Sequence, residues 1–186
     1  MNNFIYENKT KVFFGRGCVK EFLTCLVKDY DTIMMGYGQG SAKRNGIYDE
    51  VLGILMREGK TVVEFPGIMP NPTYKKVMEG VKLARAHQVQ MILGIGGGSV
   101  MDCCKAVALA ARYKGDAWEN FWDRKGIVDF EPIPVGVIPT TAGTGSECNG
   151  AAVITNEEEK VKIGYDYPKC NPEFALMDPA YTFSVP

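Results

Sequence analysis

The sequence predicts an α/β domain in which a parallel sheet is flanked by helices and a β-hairpin opens the chain. Two observations carry that prediction: short apolar runs alternate with amphipathic segments of helical period, and glycine-rich tracts follow directly after two of the apolar runs. Parallel neighbours need a crossover to return the chain to the same sheet end, and a helix of this kind supplies it.

The elements follow in order. Phe4-Ile5-Tyr6 and Val12-Phe13-Phe14 flank the polar Glu7-Asn8-Lys9-Thr10 and read as the two arms of the hairpin. Val19, Phe22, Leu23, Leu26 and Val27 recur at helical spacing, and Thr32-Ile33-Met34-Met35 is a buried strand. Ile47, Val51, Leu52, Leu55 and Met56 mark a helix, Thr61-Val62-Val63-Glu64-Phe65 a strand, and Tyr74, Val77, Met78, Val81 and Ala84 another helix. Met91-Ile92-Leu93-Gly94-Ile95 is the next strand, a helix covers about residues 99–112, and Pro134-Val135-Gly136-Val137-Ile138 is a further strand. The last third changes character. Ala151 to Thr155 and Val161 to Tyr165 flank an acidic turn as a second hairpin, and Ala175-Leu176-Met177 is a short final strand. Residues 66–72 are a turn-rich connection, so residues 1–186 are expected to form one domain.

Composition narrows the function classes. With 21 Lys and Arg against 22 Asp and Glu, the net charge is -1, which offers no basic field for nucleic acid or acidic lipid. No apolar run reaches the ~18 residues that span a bilayer, and the start Met1-Asn2-Asn3 lacks a secretory pattern, so a cytoplasmic protein is expected. The six cysteines show no C-x-x-C spacing and are expected to be reduced, mostly structural thiols.

The chemistry concentrates in three loops. Gly94-Ile95-Gly96-Gly97-Gly98-Ser99 leaves a strand and enters a helix, where bare amides and the helix dipole favour a pyrophosphate. Ser99 and Asp102 also have capping-box spacing, a structural role compatible with the first. The tract departs from G-x-G-x-x-G, and Asp116 lies in a loop after a helix, so motif matching alone leaves a Rossmann-type nicotinamide site and an ordinary glycine turn equally open. The second loop, Pro139-Thr140-Thr141-Ala142-Gly143-Thr144-Gly145-Ser146-Glu147, should emerge at the same carboxyl edge of the sheet, and its four hydroxyls suit ribose and phosphate. The third, residues 37–44, has no acid but carries Ser41, Lys43 and Arg44, which favours a 2′-phosphate over a bare ribose.

Together these residues resemble the amino-terminal domain of the iron-containing (group III) alcohol dehydrogenases, in particular the NADPH-dependent butanol dehydrogenase and aldehyde reductase branch. The resemblance runs from residues 4–17 through Tyr37-Gly-Gln-Gly-Ser41, Pro70-Asn71-Pro72, Gly96-Gly97-Gly98-Ser99 with Asp102, and Thr144-Gly145-Ser146-Glu147-Cys148-Asn149 to Asp178-Pro179. It implies that Gly38, Gln39 and Ser41 surround the adenosine ribose and its 2′-phosphate, and that Gly97, Gly98 and Ser99 hold the pyrophosphate of NADP(H). It further implies that Asp102 supports the nicotinamide end and that Thr140, Thr141, Thr144 and Asn149 line the other wall. Asn71, Lys162 and Tyr181 complete the implied cofactor set. Lys9 stands where many relatives have proline, and Cys148 where methionine is common.

The same resemblance implies a divalent metal, iron or zinc, held by one aspartate and three histidines of a helical carboxyl-terminal domain. This chain has one histidine, His87, read as a surface residue at a helix end, so no catalytic or metal-binding residue is expected in it. The expectation is the nucleotide-binding part of an enzyme interconverting primary alcohols such as butanol with their aldehydes, truncated at Pro186 and inactive alone. A homodimer through the opening hairpin is a further expectation. The alternatives are a polyol dehydrogenase or dehydroquinate-synthase-like relative, and a stand-alone nucleotide-binding module. A redox sensor built on Cys103-Cys104 stands behind both.

Overall fold

The computed structural model describes residues 3, 5 and 7–183. In chain order the elements are β1 (Lys11–Phe14), α1 (Cys18–Leu26), β2 (Thr32–Tyr37), α2 (Ser41–Arg44), α3 (Ile47–Arg57), β3 (Thr61–Phe65), α4 (Tyr74–Ala86), β4 (Met91–Gly96) and α5 (Gly98–Arg112). A π-helical turn, Trp118–Asp123, follows, then β5 (Val135–Pro139), β6 (Ala151–Asn156), β7 (Val161–Asp166) and β8 (Phe174–Met177).

Among the described residues six strands form one sheet in the order β1-β8-β5-β4-β2-β3, every neighbouring pair parallel. The centre is the most apolar part: all six residues of β4 are buried. Strand alternation divides the core into two. Ile33 and Met35 of β2 pack with residues of α1 and α3, whereas Met34 packs on the opposite face with residues of α4 and α5. Helix α5 lies close to the sheet because glycines let it. A Cβ at Gly36 would come within 2.5 Å of the Cys104 sulfur and one at Gly94 within 3.2 Å. Cys103 and Cys104 are both fully buried, and burial pushes the Cys104 thiol up to about 12, so neither is a reactive thiolate.

The expected amino-terminal hairpin lies partly outside the described residues. Its second arm is β1, but β1 pairs in parallel with β8, from Lys11 with Phe174 to Phe14 with Met177. Phe4 and Tyr6 of the first arm lie outside the described residues, and Ile5 is in no strand. Val12 and Phe14 are exposed, and among the described residues β1 is the outermost strand of the sheet.

The second hairpin forms as expected, β6 antiparallel to β7 from Ala151 opposite Asp166 to Asn156 opposite Val161. It is a separate two-stranded ribbon, too small to stand alone. Its anchor is the π-helical turn, which no sequence period announced. Trp118 and Trp122 stack with ring centres 5.8 Å apart, the Trp122 indole donates to the Ala152 carbonyl (3.1 Å), and the Trp118 indole donates to Glu159 (3.0 Å).

Candidate functional site

The strand order contains a reversal. From β2 the chain moves outward to β3, then crosses back through α4 to β4 on the other side of β2. The loops leaving β2 and β4 therefore diverge, and the crevice between them at the carboxyl ends of the strands is where such sheets bind ligands. A cavity of about 470 Å³ lies there. Gly38, Gln39, Gly40, Ser41 and Arg44 form one side, Gly97, Gly98 and Ser99 the other, and Ile68, Met69 and Pro70 of the β3–α4 connection an apolar flank. That volume suits a small-molecule ligand. Among the described residues Arg44 is the one charged member of the lining, and no carboxylate is among it.

The local backbone explains the pyrophosphate side. Gly97, extended, caps α5, and the helix begins at Gly98, so the Gly98 and Ser99 amides belong to the unpaired first turn. The capping box is therefore corrected. No side chain caps this end, Ser99 already lies inside the helix, and its hydroxyl accepts instead from the Asn71 amide (3.3 Å). Asn71 holds a left-handed backbone (φ 54), a conformation asparagine tolerates, and its side-chain oxygen accepts from Lys162 (2.6 Å). Asn71, Ser99 and Lys162, distant in sequence, thus form one chain of contacts beside the cavity.

The loop after β5 closes on the same edge. The Thr140 amide donates to the Gly96 carbonyl (3.0 Å), the Thr141 hydroxyl stands 3.5 Å from where a Gly97 side chain would begin, and Thr144 stands 3.2 Å from that point at Gly98. Its polar groups divide into two sets. The hydroxyls of Thr140 and Thr141 have no hydrogen-bond partner among the described residues. Thr144 donates to Glu147 (3.2 Å) and accepts from the Ser146 amide (3.3 Å), and Ser146 donates to Asp102 (2.6 Å), so only two of the four hydroxyls read from the sequence are free for a ligand.

Asp102 and Asn149 point inward. Asp102 accepts from Ser146 through one oxygen and from the Val153 amide through the other (3.1 Å). Asn149 donates to the Gly145 carbonyl (2.9 Å) and accepts from the Ala151 amide (3.0 Å). Both converge on Lys105, which is fully buried on α5 and was not singled out from the sequence. The Lys105 ammonium donates to the Ser146 hydroxyl (2.8 Å) and carbonyl (3.0 Å) and to the Asn149 carbonyl (3.2 Å) and side-chain oxygen (3.3 Å), with Asp102 at 3.5 Å. Burial pushes its pKa down, while Asp102 opposes that shift. Tyr181 stands apart from this group: its hydroxyl donates to Glu50 of α3 (2.6 Å), and its ring packs on the core beneath α1 and α3.

The adenosine end holds a surprise. No acid lies in the loop after β2, yet Glu64 of the neighbouring β3 accepts hydrogen bonds from the Tyr37 and Tyr48 hydroxyls. These bonds hold its carboxyl below the usual range, with a smaller contribution from Lys43. Lys43 lies over the Tyr48 ring (4.2 Å to the centre) and 4.0 Å from Glu64. Of the two cations read as phosphate ligands, Arg44 lines the cavity and Lys43 belongs to this cluster. Adjacency in sequence hid the difference, because consecutive helical residues face different directions.

Among the described residues no group of three or more His, Cys, Asp or Glu side chains is placed to hold a metal ion. His87 is exposed at the carboxyl end of α4, as expected. The six cysteines are free thiols.

A parallel sheet with a glycine-lined crevice at its reversal point defines a Rossmann-like nucleotide-binding domain. Residues 9–179 match the family model of the iron-containing alcohol dehydrogenases, and the chain belongs to that family, whose amino-terminal nucleotide-binding half it represents. It is 42% identical over its whole length to the probable NADH-dependent butanol dehydrogenase 2 of Bacillus subtilis, covering 47% of that protein. To the NADPH-dependent aldehyde reductase YqhD of Escherichia coli it is 38% identical, covering 48%. The crystal structure of NADH-dependent butanol dehydrogenase A from Thermotoga maritima superposes on the entire chain with a TM-score of 0.93 at 39% identity, 46% of that chain being covered. The chain thus spans about half the length of the curated relatives it matches. These relatives include both NADH- and NADPH-dependent enzymes.

Proposed function

We propose that residues 1–186 form the NADP(H)-binding domain of a metal-dependent alcohol dehydrogenase that interconverts primary alcohols such as butanol with their aldehydes by hydride transfer. The observation that carries this reading is the crevice lining: bare amides of Gly97, Gly98 and Ser99 for a pyrophosphate, then Ser41 and Arg44 for a 2′-phosphate, with no carboxylate beside them. The chain's own residues bind and orient the cofactor, and the Thr140 and Thr141 hydroxyls face its other side. Among the described residues no group of His, Cys, Asp or Glu fits the implied iron or zinc, and the proposal assigns the metal site and the alcohol or aldehyde pocket to a carboxyl-terminal domain outside these residues, with this domain alone inactive. The proposal places the enzyme in the cytoplasm, in keeping with free thiols and with the absence, among described residues, of any helix long and apolar enough to cross a membrane. The proposed homodimer contact is the opening hairpin, supported by the exposed Val12 and Phe14 of its second arm.

NAD(H) is the second reading, favoured by the NADH-dependent names of several relatives and by the diversion of Lys43 to Glu64. Calorimetric titration with NADP and NAD, repeated on Ser41→Asp, separates the two. Tighter NADP binding that the variant abolishes or reverses supports the proposal, tighter NAD binding by the unaltered chain supports the second reading, and binding of neither overturns both.

A further inference from the structure

The nucleotide reading leaves one buried charge without a task. Lysines are almost never fully buried unless paired, and an apolar residue would fill the same place on α5 without the desolvation cost. All four of the atoms to which the Lys105 ammonium donates belong to Ser146 and Asn149, in the loop that forms the second wall. That stretch is entered through Gly145, whose left-handed backbone (φ 69) sets the turn, and Thr144 just before it lies against Gly98 at the start of the same helix. One ammonium therefore ties the middle of α5 to the loop, while the first turn of α5 carries the pyrophosphate amides.

We propose that Lys105 is a positioning residue of the nucleotide site, holding the turn at 144–149 in register with the first turn of α5, with Asp102 and Asn149 serving as its anchors. The inference rests on the nucleotide-binding reading. Asp102 already accepts from Ser146 through one oxygen and from the Val153 amide through the other, and Asn149 bonds to Gly145 and Ala151, so both side chains are held by the same stretch of chain that the ammonium ties down. Without the ammonium, the Ser146 and Asn149 carbonyls lose a donor inside the protein and the Asp102 carboxylate loses its counter-charge, and the loop is free to move away from Gly98.

The pH dependence separates positioning from simple stability. Asp102, Cys104, Cys170 and Asp166 face or surround the ammonium, and Cys170 stays a neutral thiol because burial pushes it up to about 12. Because burial lowers the folded-state pKa below the ordinary 10.5, the native protein releases this proton first as pH rises. Between the two values the unfolded chain binds more protons, so this group's contribution to stability rises with pH, while nucleotide affinity should fall as the ammonium is lost. Opposite trends distinguish the two roles.

The test is NADP titration of the full chain across the alkaline range, for the native sequence, Lys105→Met and Ser146→Ala, with thermal unfolding and hydrogen exchange at residues 144–153 recorded alongside. Lys105→Met should bind NADP at least about tenfold more weakly, lose the alkaline fall in affinity, and exchange faster at 144–153. Ser146→Ala, which removes one link with little change in volume, should weaken binding by about threefold and add little on top of Lys105→Met. A folded Lys105→Met chain that binds NADP within twofold of the native one overturns the proposal, and so does one that keeps the alkaline fall. If Lys105→Met does not fold, native-like affinity and exchange in Ser146→Ala overturn it. If the native chain binds no nucleotide, the functional reading fails, and unchanged exchange at 144–153 in the variants then overturns the positioning role separately.

Discussion

The two walls of the crevice are built on opposite plans. The wall formed by the loops after β2 and β4 presents backbone: glycines at 38, 40, 97 and 98, with Ser41 and Arg44 reaching in from α2. The wall after β5 is rich in side-chain polar groups, but most of them are spent on one another, through Thr144, Ser146, Asp102, Asn149 and Lys105. A bare-backbone wall can meet a phosphate without rearranging, because its donors have no competing partner. The second wall has to be held in place, and it is held from behind by a buried charge and from the side by two stacked tryptophans.

The largest effect should come from breaking the second wall's outer anchor. Trp122→Ala removes a buried ring and the bond to the Ala152 carbonyl, and should cost about 3–5 kcal/mol in denaturant unfolding. Hydrogen exchange should show the β6–β7 ribbon opening before the six-stranded sheet does. If ribbon and sheet unfold together with the native stability, the anchor has been assigned wrongly.

Gly98→Val attacks the first wall at the point where both meet. A branched side chain there runs into Thr144 and fills the space before the helix amides. Affinity for NADP and NAD alike should fall by about a hundredfold, with the melting temperature lowered by far less than in Trp122→Ala. Equal loss for both nucleotides is the informative part, because the pyrophosphate is common to them.

How much of this was legible in the sequence follows the same division. The first wall was readable because glycine between a strand and a helix has few other uses, and Gly38, Gln39, Ser41, Gly97, Gly98 and Ser99 all line the cavity. The second wall was legible only in outline: hydroxyl count predicts donors, but not that Thr144 and Ser146 also bond to Glu147 and Asp102. The sheet was legible from buried strands such as Met91–Gly96, whereas the parallel pairing of β1 with β8 joins residues at opposite ends of the chain and is invisible locally. Lys105 sits among apolar residues of α5, and nothing in its spacing distinguishes a buried lysine from an exposed one until the 146–149 loop is folded over it.

Arg44 sharpens the distinction within the first wall. As the one charged residue of the lining it should read the 2′-phosphate, so Arg44→Ala should weaken NADP by about tenfold and leave NAD within about twofold. The ratio of the two dissociation constants, measured by calorimetry, is the readout. An equal loss for both would move Arg44 to the pyrophosphate.

The smallest effect, and the finest test, concerns Glu64. Its carboxylate draws Lys43 onto the Tyr37 and Tyr48 rings and away from the crevice, so Glu64→Gln should release a cation beside Arg44 and raise the preference for NADP by about two- to threefold. Because hydrogen bonds from both tyrosines lower its pKa in the folded state, the stability this carboxylate contributes is present above the ordinary glutamate range and is lost as pH falls through its folded value. Glu64→Gln should therefore also flatten the acid limb of the stability profile, a change read by thermal melts below neutral pH. A variant that flattens the acid limb but leaves the cofactor ratio untouched would show that the cluster props the adenosine end without tuning it, and Lys43 would then have no part in choosing between the two cofactors.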